Sequence, residues 1–244
     1  MMLSRFRRSA LARLAALALV PLAALGLAPA VMADTLQPAR NWNTHVSETA
    51  EGGHKVGNPL AELKLIEFVS YTCSHCAHFE KESDAALRLF YLVPGKVSIE
   101  VRPVIRNAVD LVATTLVNCG PKEKFFLNHA AFLRKQDKWL PKVQALSTAQ
   151  KARWASPDFG TRMRAVSADL GFYAIMESRG YRRTDVDRCL NDETAARRMV
   201  DLSVAGAKAY GVTATPSFVI NDALVADVHG WDALQKVIAE KLGG

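Results

Sequence analysis

The chain has no internal repeat and no low-complexity tract beyond its amino-terminal segment, which excludes solenoid and array architectures. Past residue 33 it has no apolar run long enough to cross a bilayer, so any membrane-spanning reading is confined to the first residues. After residue 34, basic residues are interspersed with acids. Arg182 and Arg183 stand beside Asp185 and Asp187, a pattern of solvated helix faces that carries no nucleic-acid footprint. Cysteine is scarce, with four in 244 residues, but the number is even and allows full pairing. Half of the residues are hydrophobic, which excludes a disordered chain and allows one large core, or one domain carrying an insertion.

The first 33 residues differ from the rest. Arg5, Arg7, Arg8 and Arg13 form a basic start, an Ala/Leu-rich stretch follows from Leu14, and Val31, Met32 and Ala33 supply small residues for cleavage. The pattern predicts a secretory signal peptide over residues 1–33, removed before Asp34, and hence export. An uncleaved anchor is the alternative, because residues 14–33 are free of charge; Pro21, Gly26 and Pro29 argue against it. Arg7-Arg8 is a weak twin-arginine hint, and no cysteine stands at the cleavage site to accept lipid. The leader holds four of the 31 basic residues and no acid, which lowers the net charge from +7 to +3, with 27 basic against 24 acidic residues.

What is present is a dithiol. Cys73-Ser74-His75-Cys76 follows the apolar run of residues 65–69 and precedes a helical pattern. Two cysteines two residues apart at the first turn of a helix can close a small disulfide ring, and the helix N-terminus stabilises the thiolate of the first. The first side chain meets unpaired backbone N–H groups, while the second turns back toward the body of the fold.

Around it, residues 34–62 read as an N-terminal arm with one short strand near His54. Residues 63–70 read as a buried strand, and residues 76–91 as a helix with Phe79, Leu87 and Phe90 on its apolar spacing. Residues 97–101 alternate as a second strand, completing a crossover unit with the dithiol at its strand-to-helix turn. Residues 107–198 are helical throughout and form an insertion, with Thr184 as an expected N-cap. The core resumes over residues 199–244 with a helix from Ala195 to Tyr210, a strand ending at Ile220, a turn at Asn221-Asp222, a second short strand and a terminal helix from Trp231. The expected class is α/β: a thioredoxin-like fold built from residues 63–106 and 199–244 with a helical insertion domain.

Glu67, the dithiol with histidine in its third place, the insertion, and Thr215-Pro216 ahead of a hairpin and final helix resemble the DsbA-like family of periplasmic thiol:disulfide oxidoreductases. The resemblance covers nearly all of residues 54–244 in element order. It implies Cys73 as the exposed nucleophile of mixed disulfides, Cys76 as the buried resolving thiol, and Thr215-Pro216 as a cis-proline loop that offers main-chain hydrogen bonds to an extended substrate. His75 can donate to the Cys73 sulfur or place a positive charge beside it. Thiols so placed fall to roughly 3.5 to 7.5, a range whose low end is set by DsbA itself. A shift of ~3 units would favour the reduced form by about 4 kcal/mol, on the order of 90 mV toward a more oxidising disulfide.

Glu67, six residues before Cys73 in the family's acidic position, reads as a proton acceptor for Cys76, since a desolvated carboxyl titrates nearer neutrality; the alternative is a strand-end residue reaching water. Cys119 and Cys189 stand at opposite ends of the insertion and read as a structural disulfide, or alternatively as a second redox pair. Two departures leave the direction of electron flow open. Ser74 stands where the well-known oxidases carry proline, and Thr215 where they carry an aliphatic residue; threonine there also occurs in the isomerase branch. The resemblance implies an oxidase acting on newly exported cysteine-containing proteins, as a monomer without bound cofactor, and reset by a membrane quinone-linked reoxidase of the DsbB type. An isomerase or reductase is the second reading. A copper or zinc site from Cys73, His75, Cys76 and His78 is the third, disfavoured because His78 lies half a turn past Cys76. His45, His54, His129 and His229 show no ligand or triad spacing and receive no role; Trp139 and Trp154 read as core.

Overall fold

The computed structural model describes residues 41–243, so the expected leader and the start of the arm lie outside the described residues. Six strands form one sheet in the order β1-β2-β4-β3-β5-β6. At its centre is β3 (Leu63–Val69), whose continuous apolar character suits a strand covered on both faces. It pairs in parallel with β4 (Val97–Pro103) across the helix that joins them, and antiparallel with β5 (Ser217–Ile220), with Glu67 opposite both Val101 and Phe218.

The arm is part of the sheet. Besides the expected strand near His54, which is β2 (His54–Gly57), a strand that periodicity does not mark, β1 (Val46–Glu48), pairs with it. β2 in turn pairs with β4. Close approach sets the local sequence: a Cβ on Gly53 would stand 2.4 Å from Glu100 Oε1. That oxygen accepts from Arg102 Nε at 2.6 Å and from Thr49 Oγ1 at 2.7 Å. This polar trio explains why β4 is buried along its whole length despite its alternating sequence. The hairpin of β5 and β6 (Ala223–Val225) turns on Asn221 and Asp222, both at positive φ as a two-residue hairpin turn requires.

Helix α1 (Ser74–Ala86) carries Cys76, Phe79 and Ser83 inward. Its last turns, Leu87–Leu92, are π-helical. The extra residue in that turn keeps Leu87 and Leu92 buried but rotates Leu89 and Phe90 to the surface, so Phe90 is 67% exposed against the helical expectation.

The insertion comprises α2 (Ala108–Val117), α3 (Phe125–Arg134), α4 (Gln136–Gln144), α5 (Thr148–Trp154), α6 (Phe159–Leu170), α7 (Phe172–Ser178) and α8 (Arg183–Leu190). Its core is aromatic, with Phe132, Trp139 and Phe172 in edge contacts. Thr184 lies inside α8 and caps nothing; Arg182 is the N-cap and pairs with Asp185. α9 (Glu193–Tyr210) runs unbroken through residues 198 and 199, the expected end of the insertion, and α10 (Trp231–Lys241) closes the fold. One apolar core joins sheet and insertion.

Cys119, just after α2, is disulfide-bonded to Cys189 in α8, with a sequence separation of 70. Chain entropy for a loop of this size is worth about 4 kcal/mol in the simple model. Replacing both cysteines by serine should lower the unfolding free energy by about 2–4 kcal/mol, measured as a shift in the denaturant midpoint; an unchanged midpoint would deny the bridge a structural role.

Candidate active site

The turn after β3 delivers Cys73 to the N-cap of α1, with extended backbone angles (φ −87°, ψ 120°) and no side-chain capping bond. Its sulfur therefore faces the open end of the helix. The Cys76 thiol is the largest influence lowering its pKa, and the Thr215 hydroxyl and the backbone N–H groups of Cys76 and His75 add to it. These donors hold the Cys73 thiol down to about 4, against the burial that opposes them. Cys76, one turn later, has no exposed surface. Burial pushes its thiol far above the ordinary range, and the bond it donates to Cys73 and the charges of Cys73 and Glu67 push the same way. The reduced site thus holds one thiolate and one thiol.

Facing Cys73 is the Thr215-Pro216 peptide, which is cis. The Cys73 S–H donates to the Thr215 carbonyl at 3.1 Å. A thiolate has no proton for that carbonyl, and the Thr215 hydroxyl, buried without a hydrogen-bond partner among the described residues, is the donor the same residue has available for it. His229 Nδ1 lies 2.7 Å from the Pro216 carbonyl, and Ser217 Oγ donates to the Ala214 carbonyl at 2.8 Å, so the loop is pinned from both sides.

The insertion holds the dithiol turn from behind. Asp110 Oδ1 accepts from Ser70 Oγ and from the Thr72 N–H, each at 2.9 Å. Gln136 Nε2 donates to the carbonyls of Tyr71 (2.7 Å) and Cys73 (2.9 Å). Arg106 and Asn107 reach Ser70 and Thr72 from the outer side. Beneath the turn, Tyr71 Oη and His129 Nδ1 are 3.0 Å apart, and Glu80 is bonded by Arg134.

Glu67 is buried, and its Oε1 has no hydrogen-bond partner among the described residues. Burial, and then the charge of Glu80, push its carboxyl well above the usual range. A cavity of about 30 Å³, the size of a water, is lined by Glu67, Glu80 and His129. Burial and Asp84 raise Glu80 to about 7 against the pull of Arg134, and burial lowers His129 to about 3.

Cys73, Cys76, Thr215 and Pro216 therefore meet, with Glu67 in the core beneath them, but Cys73 is buried rather than exposed as expected, at 8%, because the Thr215 carbonyl lies against its sulfur. His75 differs: its imidazole is exposed, and its backbone N–H is what acts on the sulfur. Ser74 is exposed beside it. His78 pairs with Glu82 at 3.0 Å, away from the dithiol, and no metal-binding cluster is present among the described residues. Asp110, Gln136, Tyr71, Glu80, His129 and His229 escape the sequence reading. Asn107, the N-cap of α2, marks Asp110 as a first-turn acid; for the others no local pattern exists, because their partners lie far along the chain.

A thioredoxin-type sheet interrupted by a helical insertion, with a helix-capping dithiol set against a cis-proline, defines a DsbA-like architecture. The family model described as thioredoxin matches residues 49–240, and the chain belongs to that family. It is similar to the crystal structure of a protein-disulfide isomerase from Novosphingobium aromaticivorans, with 41% identity, TM-score 0.76, and coverage of 80% of this chain and all of that one. The fold is shared with the crystal structure of alpha-DsbA1 from Wolbachia pipientis, with 20% identity, TM-score 0.59, and coverage of 78% of this chain and 90% of that one. A Rickettsia typhi protein provisionally named a protein-disulfide oxidoreductase is 26% identical over 167 residues, 68% of this chain and 53% of that protein. The chain spans about half the length of the curated relatives it matches.

In the reduced protein, the ultraviolet thiolate absorbance should titrate with a midpoint of about 4. Because the folded pKa is depressed, the thiolate contributes stability that is complete above the unfolded thiol value of ~8.5 and lost as pH falls through the folded one. The reduced form should accordingly lose denaturant resistance, relative to the oxidised form, as pH falls across that window. A midpoint at the ordinary thiol value would remove the helix-terminus account.

Proposed function

We propose that this protein is a periplasmic thiol:disulfide oxidoreductase that donates the Cys73-Cys76 disulfide to newly exported cysteine-containing proteins. The observation that carries the reading is the inequality of the two sulfurs, one stabilised as a thiolate at the helix start and the other held as a thiol in the core. A substrate thiolate attacks Cys73 Sγ, the Cys73-Cys76 bond breaks, and Cys76 leaves and takes up a proton, for which Glu67 is the nearby buried donor. A second substrate thiolate then attacks the substrate sulfur of the mixed disulfide, and Cys73 leaves as the stabilised thiolate. Two electrons pass from substrate to protein. Because the leaving thiolate is favoured, transfer runs toward giving the disulfide away.

The main chain at Thr215 offers sequence-independent pairing for an extended substrate, and a membrane quinone-linked reoxidase would restore the disulfide. The leader pattern supports export. A second reading, isomerase or reductase, is supported by Thr215 before the cis-proline and by likeness to the Novosphingobium protein named an isomerase.

The reduction potential of the dithiol against a glutathione buffer decides between them. An oxidase should lie at about −180 mV or above, and a value near about −270 mV would establish the reductive reading instead. Thr215→Val should raise the Cys73 pKa and make the potential more reducing; an unmoved potential would deny the hydroxyl its role. Glu67→Gln should slow formation of the mixed disulfide from the oxidised protein by roughly tenfold or more, as for loss of a proton-transfer group, with the Cys73 pKa nearly unmoved. Equal formation rates would remove Glu67 from the mechanism.

A further inference from the structure

Between α1 and α4, beside the dithiol, runs a groove of about 400 Å³. Ser74, adjacent to Cys73, lines one end together with Gln136, whose amide holds the Cys73 carbonyl. Ala77, Leu140 and Pro141 supply an apolar floor. The groove follows α4 as far as Gln144, a rise of ~12 Å and room for three or four extended residues.

Two features give this surface a polypeptide character. Pro141 sits inside α4 and has no N–H to offer the Asp137 carbonyl four residues back, so a main-chain acceptor on the groove wall is left without its helical donor. The charged side chains are unequally matched. Glu82 is turned to His78 at 3.0 Å and Asp137 to Lys138 at 3.5 Å, which leaves exposed Lys81 as the charged group of the lining without an ion pair among the described residues. Lys81 stands eight residues past Cys73 along α1, ~12 Å away by helical rise, which three or four residues of extended chain would span.

We infer that this groove is the seat of the polypeptide segment flanking the substrate cysteine, and that Lys81 selects an acidic residue three or four positions from that cysteine. The inference rests on the exchange reaction proposed above and adds a substrate preference to it. The groove is continuous with the exchange site through Ser74 and Gln136, so a chain joined to Cys73 and paired at Thr215 has this channel as its path on the α4 side.

The test uses reduced peptides identical except for Glu or Lys at the third and fourth positions on either side of a cysteine, with glutathione disulfide supplied as the oxidant that returns Cys73 and Cys76 to the disulfide after each turnover. The full protein and its Lys81→Glu variant are compared, with circular dichroism confirming that the variant is folded. Wild-type protein should favour the acidic peptide by about threefold to fivefold in kcat/KM, as for an exposed ion pair, and the variant should reverse the order. Pro141→Ala, which returns an N–H to the Asp137 carbonyl, should raise KM for both peptides about threefold while kcat is held. Equal kcat/KM for the two peptides in both proteins would overturn the groove assignment and leave the exchange reaction standing. Failure of wild-type protein to oxidise either peptide would overturn the exchange reading, and with it the basis of the inference.

Discussion

Two sulfur atoms three residues apart cannot be chemically equivalent when a helix begins between them. The first is at the N-cap, where backbone N–H groups have no partners of their own, and the second is one turn inside, where the side chain meets the core. Every other feature of the site reinforces that difference. The strand before Cys73 is central and buried on both faces, so α1 starts past the strand's C-terminal end and Cys76 turns into the core. The cis-proline loop then closes over Cys73 from β5, bringing a hydroxyl and a carbonyl from the same threonine to one sulfur.

The insertion is more than an appendage to this arrangement. Under the exchange reaction proposed above, the outer side of the dithiol turn has to admit substrate and cannot be closed by packing. Asp110 and Gln136 hold it instead through main-chain contacts from two different insertion helices, both from buried positions where the bonds are sheltered from water. The bridge of Cys119 to Cys189 ties the chain after α2 to α8 and limits how far the layer carrying Asp110 can loosen. The four cysteines thus divide into a free pair at the start of α1 and a bonded pair that ties the insertion together.

The interior under the dithiol is unusually polar for a core. Glu67, Glu80, His129 and Tyr71 share a small space, and burial sends the acids upward and the histidine downward, toward their neutral forms. Neutral groups avoid the large cost of isolated buried charge while keeping protons within reach of Cys76. Thr215 works in the opposite sense on the other sulfur, favouring charge.

Much of this is legible along the chain. The dithiol, its strand and helix, the acid at Glu67 and the Thr215-Pro216 pair announce themselves by local pattern, because apolar runs, helix starts and turn residues act over a few positions. Phe90 departs from its helical spacing because a single π turn shifts the exposed face without leaving a mark in the apolar pattern. The imidazole of His75 is credited by sequence with what its backbone N–H does, since a sequence names side chains and leaves main-chain donors unseen. Residue type and order alone determined the chemistry available: which atoms can exchange electrons, and that a helix would begin at the first of them. Tertiary structure decided the environment of those atoms, through the approach of Thr215, 142 residues away, and of Asp110 and Gln136 from the insertion. Burial and hydrogen bonding shift a pKa according to what surrounds a group in space, and the packed chain alone sets those neighbours.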